Sequence, residues 1–263
     1  MTNDTAALQK ILDRAGDVLI PKGTYLIDAD KGLHLRSGTN LAFSPGAVFK
    51  ALPSAMEKYS ILKASDVSDV KITGPGILQG ERKEHDGTTG QWGMGLRIDG
   101  GSRNIRVVDL TTRDCWGDGF YISGAANVSL SRVTADGNRR QGLSIIEVDG
   151  LTVRQSIFKN TGGTKPGAGI DLEPNKVTPK QVIQNVLIEN SQFLHNAKAG
   201  ILIHGKNGII RNVIVRNNVY EGNMPIHVCG VPEESTHAPG IWAYLIGKLF
   251  QTYRGYPTAA LIA

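Results

Sequence analysis

The sequence lacks the features that mark membrane proteins and precursors with a signal peptide. No apolar run approaches the ~18 residues of a membrane-spanning helix. The chain begins with the polar residues Met1-Thr2-Asn3-Asp4 and has no positively charged region followed by an apolar segment. We therefore expect neither a membrane partner nor a signal peptide in this chain.

Cysteine is also scarce, with only Cys115 and Cys229 in the chain. These residues lie five copies apart in the repeat described below, and stacking at ~4.8 Å per strand would separate them by roughly 24 Å. Disulfide-bonded cysteines usually have Cα atoms ~4.4–6.8 Å apart. The sequence therefore predicts two free thiols.

Positive charge is present but not concentrated. The formal net charge is +5, a modest bias that is compatible with an acidic polymer as partner. Lysines and arginines are spread along the chain, without a basic helix or interleaved aromatic residues. We therefore expect no nucleic-acid partner.

One short strand pattern occurs six times. Its central copy is Gly169-Ile170-Asp171-Leu172-Glu173, where the first and third residues after glycine are apolar and the second and fourth are carboxylates. The other copies follow at intervals of 23 to 31 residues and begin at Gly95, Gly119, Gly142, Gly200 and Pro225. Alternation is typical of a half-buried strand, and a recurring interval of this length indicates a solenoid.

A second strand with alternating apolar residues follows most of these strands, for example at residues 104–107, 127–130 and 212–215. Coils of about two dozen residues with two or three short strands are typical of a β-helix. We therefore predict an all-β, single-stranded parallel β-helix, that is, a solenoid. Residues 1–32 are predicted to form an N-terminal capping helix and the first strands, residues 33–230 the β-helix, and residues 231–263 an irregular linker and capping segment.

Two motifs resemble the pectate-lyase-like superfamily of right-handed parallel β-helix proteins, which includes polygalacturonase-like enzymes and phage tailspike depolymerases. The first is a short helix at residues 4–12, followed by a strand and the turn Pro21-Lys22-Gly23-Thr24-Tyr25. The second is the coil Gly74-Pro75-Gly76-Ile77-Leu78-Gln79-Gly80. The resemblance implies a right-handed coil, a polysaccharide partner, a monomer or homotrimer, and an extracellular or virion location.

The variable positions of the repeated strands form two predicted columns. The nearer column contains Arg97, Tyr121, Ser144, Asp171, Leu202 and His227. The farther column contains Asp99, Ser123, Ile146, Glu173, His204 and Cys229. Asp171 and Glu173 lie on one strand with backbones ~6.6–6.8 Å apart, a spacing that suits the carboxylate pair of a glycosidase but does not distinguish retaining from inverting geometry.

The turns before these strands add further candidates. Asp118, Arg139 and Arg140 precede repeat glycines, so Asp118 and Arg140 are expected on coils next to Asp171. An arginine there could bind a sugar carboxylate or stabilise a developing anion. Crowded carboxylates raise one another's pKa, as a general acid at neutral pH requires. The alternative is a structural ladder of Arg and Asp that neutralises itself.

Loops are predicted around the central copy. Residues 161–167 and 174–180 lengthen it on both sides, and residues 81–92 form another polar excursion. Such loops often build the walls of a groove. The segments Asn138-Arg139-Arg140-Gln141-Gly142 and Gly169-Ile170-Asp171-Leu172-Glu173-Pro174-Asn175 also resemble a pairing in β-helix proteins of phage tails and polysaccharide processing.

The chain departs from the polygalacturonase pattern at Trp116-Gly117-Asp118-Gly119, which has a single aspartate and is not followed by a histidine turn. The mechanism of those enzymes is therefore not carried over. We predict Asp171, Glu173 and Asp118 as catalytic residues. Predicted substrate contacts are Arg139, Arg140, Tyr121, Arg97, Trp116 and His204. No metal site or cofactor is predicted, because a set of calcium ligands cannot be identified.

Three functions fit these patterns. The chain could cleave a polysaccharide, acidic or neutral, by hydrolysis or elimination. It could instead be a glycan-binding or tailspike-like adhesion module that does not cut its ligand. It could also be a structural β-helix whose ends associate.

Overall fold

The computed structural model of the protein describes residues 2–230. The predicted linker and capping segment, residues 231–263, lies outside the described residues. The predicted N-terminal helix is present as α1 (Thr5–Leu12), which buries Thr5, Leu8 and Leu12. These positions recur every three or four residues, so one face of the helix packs on the first coil. None of the described residues forms a helix long and apolar enough to cross a bilayer.

The strands are short and occur along the whole described chain. In chain order they are β1 (Asp17–Ile20), β2 (Gly23–Ile27), β3 (Leu33–His34), β4 (Asn40–Phe43), β5 (Ala47–Ala51), β6 (Lys58–Ser65), β7 (Ser68–Gln79), β8 (Trp92–Asp99), β9 (Arg103–Arg113), β10 (Asp118–Ser131), β11 (Thr134–Asp136), β12 (Gln141–Arg154), β13 (Ile157–Lys159), β14 (Ala168–Leu172), β15 (Val182–Glu189), β16 (Gln192–Leu194), β17 (Ala199–His204), β18 (Ile209–Arg216), β19 (Val219–Glu221) and β20 (Met224–Cys229).

The strands pair in parallel and form three stacks. Stack 1 contains β1, β4, β15 and β18, and stack 2 contains β2, β5, β11, β13, β16 and β19. Stack 3 contains β3, β6, β8, β14, β17 and β20. Strands β7 and β9 turn from stack 1 into stack 2, whereas β10 and β12 turn from stack 3 into stack 1. Residues 2–230 thus form the predicted parallel β-solenoid, with about eight turns.

The core is a set of apolar columns inside the solenoid. In stack 3 one column contains Leu62, Leu96, Phe120, Leu143, Ile170, Ile201 and Ile226, which are aligned by strand pairing. In stack 2 the rings of Phe158 and Phe193 stack at 5.4 Å, and Phe193 stacks on Tyr220 at 5.2 Å. Each coil therefore buries its apolar residues against equivalent residues of its neighbours.

Glycine begins the repeated strand because the corner of the coil has no space for a side chain. A Cβ atom on Gly169 would lie 2.7 Å from the backbone oxygen of Gly200 and 2.8 Å from the Phe193 ring. Both distances are too short for carbon in normal contact. The recurring glycine in the sequence pattern thus reflects close packing between coils.

One predicted column position is wrong. Ser123 pairs with Glu147 rather than with Ile146, because the ladder between β10 and β12 shifts register after Ile122. Ile146 is buried instead of standing in the polar column. The two cysteines are both free, as predicted. The predicted domain boundaries remain predictions.

Candidate functional site

Four predicted site residues meet on three neighbouring strands in the middle of stack 3. Asp118 begins β10, Arg140 immediately precedes β12, Asp171 lies in β14, and Glu173 follows that strand directly. Because β10, β12 and β14 are successive neighbours in the ladder, residues about 23 to 33 apart in sequence are brought together. We call Asp118, Arg140, Asp171 and Glu173, with Ser144 and Gln141, the carboxylate cluster.

Arg140 links two of the carboxylates. Its Nη2 atom donates hydrogen bonds to both Glu173 oxygens, at 2.7 Å and 3.0 Å. Its Nη1 atom donates to Oδ2 of Asp118 at 3.1 Å and to Oγ of Ser144 at 3.1 Å. The Ser144 hydroxyl donates in turn to Oδ2 of Asp118 at 3.0 Å. Glu173 and Asp118 are therefore both engaged by the guanidinium group.

Asp171 is held differently. Nε2 of Gln141 donates a hydrogen bond to its Oδ2 atom at 2.6 Å. Its Oδ1 atom is buried and has no hydrogen-bond partner within residues 2–230. Asp171 is thus the carboxyl group of the cluster that retains a free oxygen.

The cluster holds three carboxyl groups and one guanidinium group. Burial raises the pKa of Asp171 to about 8, with a further contribution from the nearby charge of Glu173. Burial likewise raises the pKa of Asp118 to about 7, against the opposing effect of Arg140. For Arg140, burial alone would lower the pKa, but the Asp118 and Glu173 carboxylates raise it overall. The raised pKa values of Asp171 and Asp118 both favour retention of a proton by the cluster at neutral pH.

The cluster is much more enclosed than the sequence suggested. Asp118 is fully buried, Asp171 is 1% exposed, and Glu173 and Arg140 are each 8% exposed. Gln141 and Ser144 are also buried. Burial of this kind is the physical cause of the raised pKa values, because an ionised carboxylate loses its hydration.

Trp116 lies in a stack of three side chains beside the cluster. The His85 ring stacks on one face with ring centroids 3.8 Å apart, and Cζ of Arg139 lies 3.7 Å from the Trp116 centroid. His85 Nδ1 also lies 3.0 Å from Oε1 of Glu81. Trp116 is only 9% exposed, so its ring is not available for stacking on a sugar in this arrangement.

The stacked side chains of His85, Trp116 and Arg139 join the loop at residues 80–91 to the turns that carry the cluster. Arg139 donates from Nη1 to the backbone oxygen of Gly90 at 2.9 Å, and Trp116 donates from Nε1 to that of Thr89 at 3.4 Å. Arg82 donates to the backbone oxygen of Gly137 at 2.6 Å. The sequence interpretation missed His85 and Glu81, and their four-residue spacing inside a polar loop gave little signal.

The remaining predicted contacts lie at greater distance along the same face. Arg97 and Tyr121 pair with each other one coil apart, and Tyr121 pairs with Ser144 of the cluster. His204 lies at the end of β17 and pairs with Cys229. It makes no hydrogen bond to the cluster in the described part of the chain. The catalytic and binding roles of all these residues remain predictions.

The arrangement is suited to proton transfer. Within residues 2–230, no group of three or more His, Cys, Asp or Glu side chains is placed to hold a metal ion. A protonated carboxyl group next to carboxylates held by arginine is a combination that can act as general acid and base.

Comparison with known proteins identifies related chains and folds. A family model described as "Right handed beta helix region" matches residues 59–244. The uncharacterized protein YclG of Bacillus subtilis (strain 168) is 28% identical in an alignment that is 268 positions long and covers 85% of this chain and 45% of that protein. The chain therefore spans less than half the length of this relative.

Two solved structures share the fold. The family 28 exopolygalacturonase of Yersinia enterocolitica has a TM-score of 0.69 at 16% sequence identity, over 86% of this chain and 52% of that chain. The pre-mature gene product 12 of bacteriophage phi29 has a TM-score of 0.70 at 17% identity, over 85% of this chain and 31% of that one. At these identities the similarity establishes the architecture alone.

Proposed function

The chain belongs to the right-handed β-helix family, and on that premise we propose that it binds a polysaccharide along stack 3 and hydrolyses a glycosidic bond at Asp171. The observation that carries the proposal is the buried, partly unpaired carboxyl group of Asp171. This side chain is buried, its pKa is raised to about 8, and its Oδ1 atom has no partner in the described residues. A carboxyl group that holds its proton at neutral pH is suited to be a general acid.

The reaction follows from this assignment. Asp171 gives its proton to the glycosidic oxygen as the bond between that oxygen and the anomeric carbon breaks. A water molecule attacks the anomeric carbon and gives its proton to the carboxylate of Glu173, which Arg140 holds in place with two hydrogen bonds. Asp118, which is fully buried and bonded to the same guanidinium group, acts through Arg140 and keeps it oriented towards Glu173. Because Asp171 is 1% exposed, the saccharide must displace the side chains that enclose it.

One comparison and one feature of the fold support the choice of substrate class. The Yersinia protein with the same architecture is a polygalacturonase by its description, and the cluster lies on a continuous face of parallel strands that could carry an extended chain. We propose hydrolysis rather than elimination because the cluster pairs a carboxyl group suited to donate a proton, Asp171, with a carboxylate suited to accept one from water, Glu173.

Binding without cleavage is the second candidate. This candidate is favoured by the hydrogen bonds that Glu173 and Asp118 already accept from Arg140 and Ser144. In that case the cluster would hold the β10, β12 and β14 corner together, and saccharide recognition would lie elsewhere on the face.

The test is to screen wild type and Asp171→Asn against acidic and neutral polysaccharides. New reducing ends without ultraviolet absorbance are expected for wild type, because hydrolysis creates no double bond. The activity of the variant should be lower than that of wild type by about 100-fold or more, as expected when a general acid is removed. The exposed Asp149 on β12 provides the matched control, since Asp149→Asn should retain activity.

Other outcomes would reject parts of the proposal. Absorbance from an unsaturated product would replace hydrolysis by elimination. Full activity in Asp171→Asn would remove Asp171 from the mechanism. Saccharide binding with no turnover in wild type would favour the second candidate.

A further inference from the structure

An open cavity lies on stack 3, on the N-terminal side of the carboxylate cluster. It has a volume of about 200 Å³ and is lined by Lys58, Trp92, Met94, Arg97 and Tyr121. These residues come from three successive strands, β6, β8 and β10. We call this feature the Lys58–Tyr121 cavity. Lys58, Trp92 and Met94 have no role in the proposed reaction.

The charge around the cavity is positive. Of the side chains that line it, Lys58 and Arg97 are cationic and none is anionic. Lys63 is the strand partner of Arg97, and its pKa is lowered, first by burial and then by the charge of Arg97. Asp99, which pairs with Arg97, offsets only part of this charge. The site therefore favours an anion.

The cavity also presents aromatic surface. Trp92 is 40% exposed, and the Tyr121 ring lies 5.7 Å from the Arg97 guanidinium carbon. Ligand sites commonly combine apolar and aromatic walls with a few polar groups that fix orientation. Aromatic faces suit the apolar side of a sugar ring, while Arg97 and Lys58 supply donors for an oxyanion.

The position of the cavity relates it to the cluster. Arg97, Tyr121, Ser144 and Asp171 occupy one column on four successive coils. At ~4.8 Å per coil, Arg97 lies roughly 14 Å from Asp171 along the face. A saccharide chain that passes Asp171 in the direction of β8 would therefore place a later sugar residue over the cavity.

We propose that the Lys58–Tyr121 cavity binds a sugar residue that carries an oxyanion, either a carboxylate or a sulfate. The inference rests on the proposed function in placing a saccharide along stack 3, but it does not depend on cleavage. The cavity would thus select anionic polysaccharides and fix the position of the chain relative to Asp171.

Calorimetric titration of the full chain carrying Asp171→Asn tests the proposal without turnover. The probes are a uronic-acid oligosaccharide, its methyl ester, and a neutral oligosaccharide with and without sulfate groups. We expect the acid or the sulfated form to bind at least 10-fold more tightly than its uncharged counterpart. Arg97→Gln and Lys58→Gln, added separately, should each reduce that preference. Because Lys58 is exposed, its replacement should leave the fold intact and so tests the role of charge even if Arg97→Gln does not fold.

Arg106→Gln is the matched control, because Arg106 is an exposed arginine on β9 in stack 1. It should leave binding unchanged. Equal affinity for charged and uncharged probes would overturn the inference, as would an equal loss in the control. Selective binding in a protein without hydrolytic activity would retain the inference and reject the proposed reaction. Cleavage of neutral chains without a preference for charged ones would reject the inference about the cavity and retain the proposed reaction.

Discussion

Arg140 and Glu173 lie 33 residues apart in sequence, yet Nη2 of Arg140 contacts both Glu173 oxygens at 2.7 Å and 3.0 Å. The same guanidinium group contacts Asp118 from the neighbouring coil. This single cation therefore balances carboxylates from two coils, and we expect the stability of the cluster to depend on it.

Replacing Arg140 with Met should destabilise the fold by about 3–5 kcal/mol at neutral pH, because it leaves buried carboxylates without their cation. The loss should grow as pH rises and more carboxyl groups ionise. Urea unfolding at several pH values measures it. Arg132→Met is the control, since Arg132 makes a similar contact with Asp109 at an exposed position. It should have little effect, and equal losses in the two variants would contradict this account.

The raised pKa of Asp171 predicts that stability falls with rising pH. In the unfolded chain an aspartate has a pKa of about 3.9, whereas in the fold that of Asp171 is about 8. Between these two pKa values the folded state binds one proton more than the unfolded state. The free energy of unfolding therefore falls by about 1.4 kcal/mol for each unit that the pH rises. Above about pH 8 the decline from Asp171 ends.

Comparison of wild type with Asp171→Asn isolates this effect, because asparagine does not titrate. The difference in unfolding free energy between the two proteins should change most between about pH 4 and pH 8, with wild type losing stability relative to the variant. Parallel curves for the two proteins would show that Asp171 is ionised throughout this range.

Trp116→Ala should cost about 3–5 kcal/mol, because it removes a large buried side chain together with its contacts to His85 and Arg139. The loop at residues 80–91 should then be cleaved faster in limited proteolysis, since it loses its attachment to the turns. Trp92→Ala is the control at a 40% exposed position. If both variants were cleaved at the wild-type rate, the contacts of Trp116 with His85 and Arg139 would not anchor the loop.

The sequence predicted the ladder well because its signal is local and repeated. Alternating apolar residues after each glycine placed Phe120, Leu143 and Ile170 in one column, and strand pairing aligns them in that order. The repeat interval also placed Asp118 and Arg140 next to Asp171. A column can be predicted in this way because each coil repeats the geometry of the previous one.

The sequence could not predict features that depend on irregular segments. The shifted register after Ile122 has no counterpart in the apolar pattern. The contacts of Trp116 depend on a loop with no repeat to fix its position. The role of Gln141 has no signal in the sequence either, because it depends on the neighbouring strand: its Oε1 atom accepts from the backbone N–H of Ala168 at 3.2 Å while its Nε2 atom donates to Asp171.

The two loops around β14 differ from the rest of the coil in length, yet the ladder continues beyond them. Val148 pairs with Ile183 and Ile170 with Ile201, so the extra residues do not disturb the register on either side. Backbone pairing and loop length can thus change independently in this architecture. These loops can therefore be lengthened or exchanged without moving the strands that carry Asp118, Ser144 and Asp171.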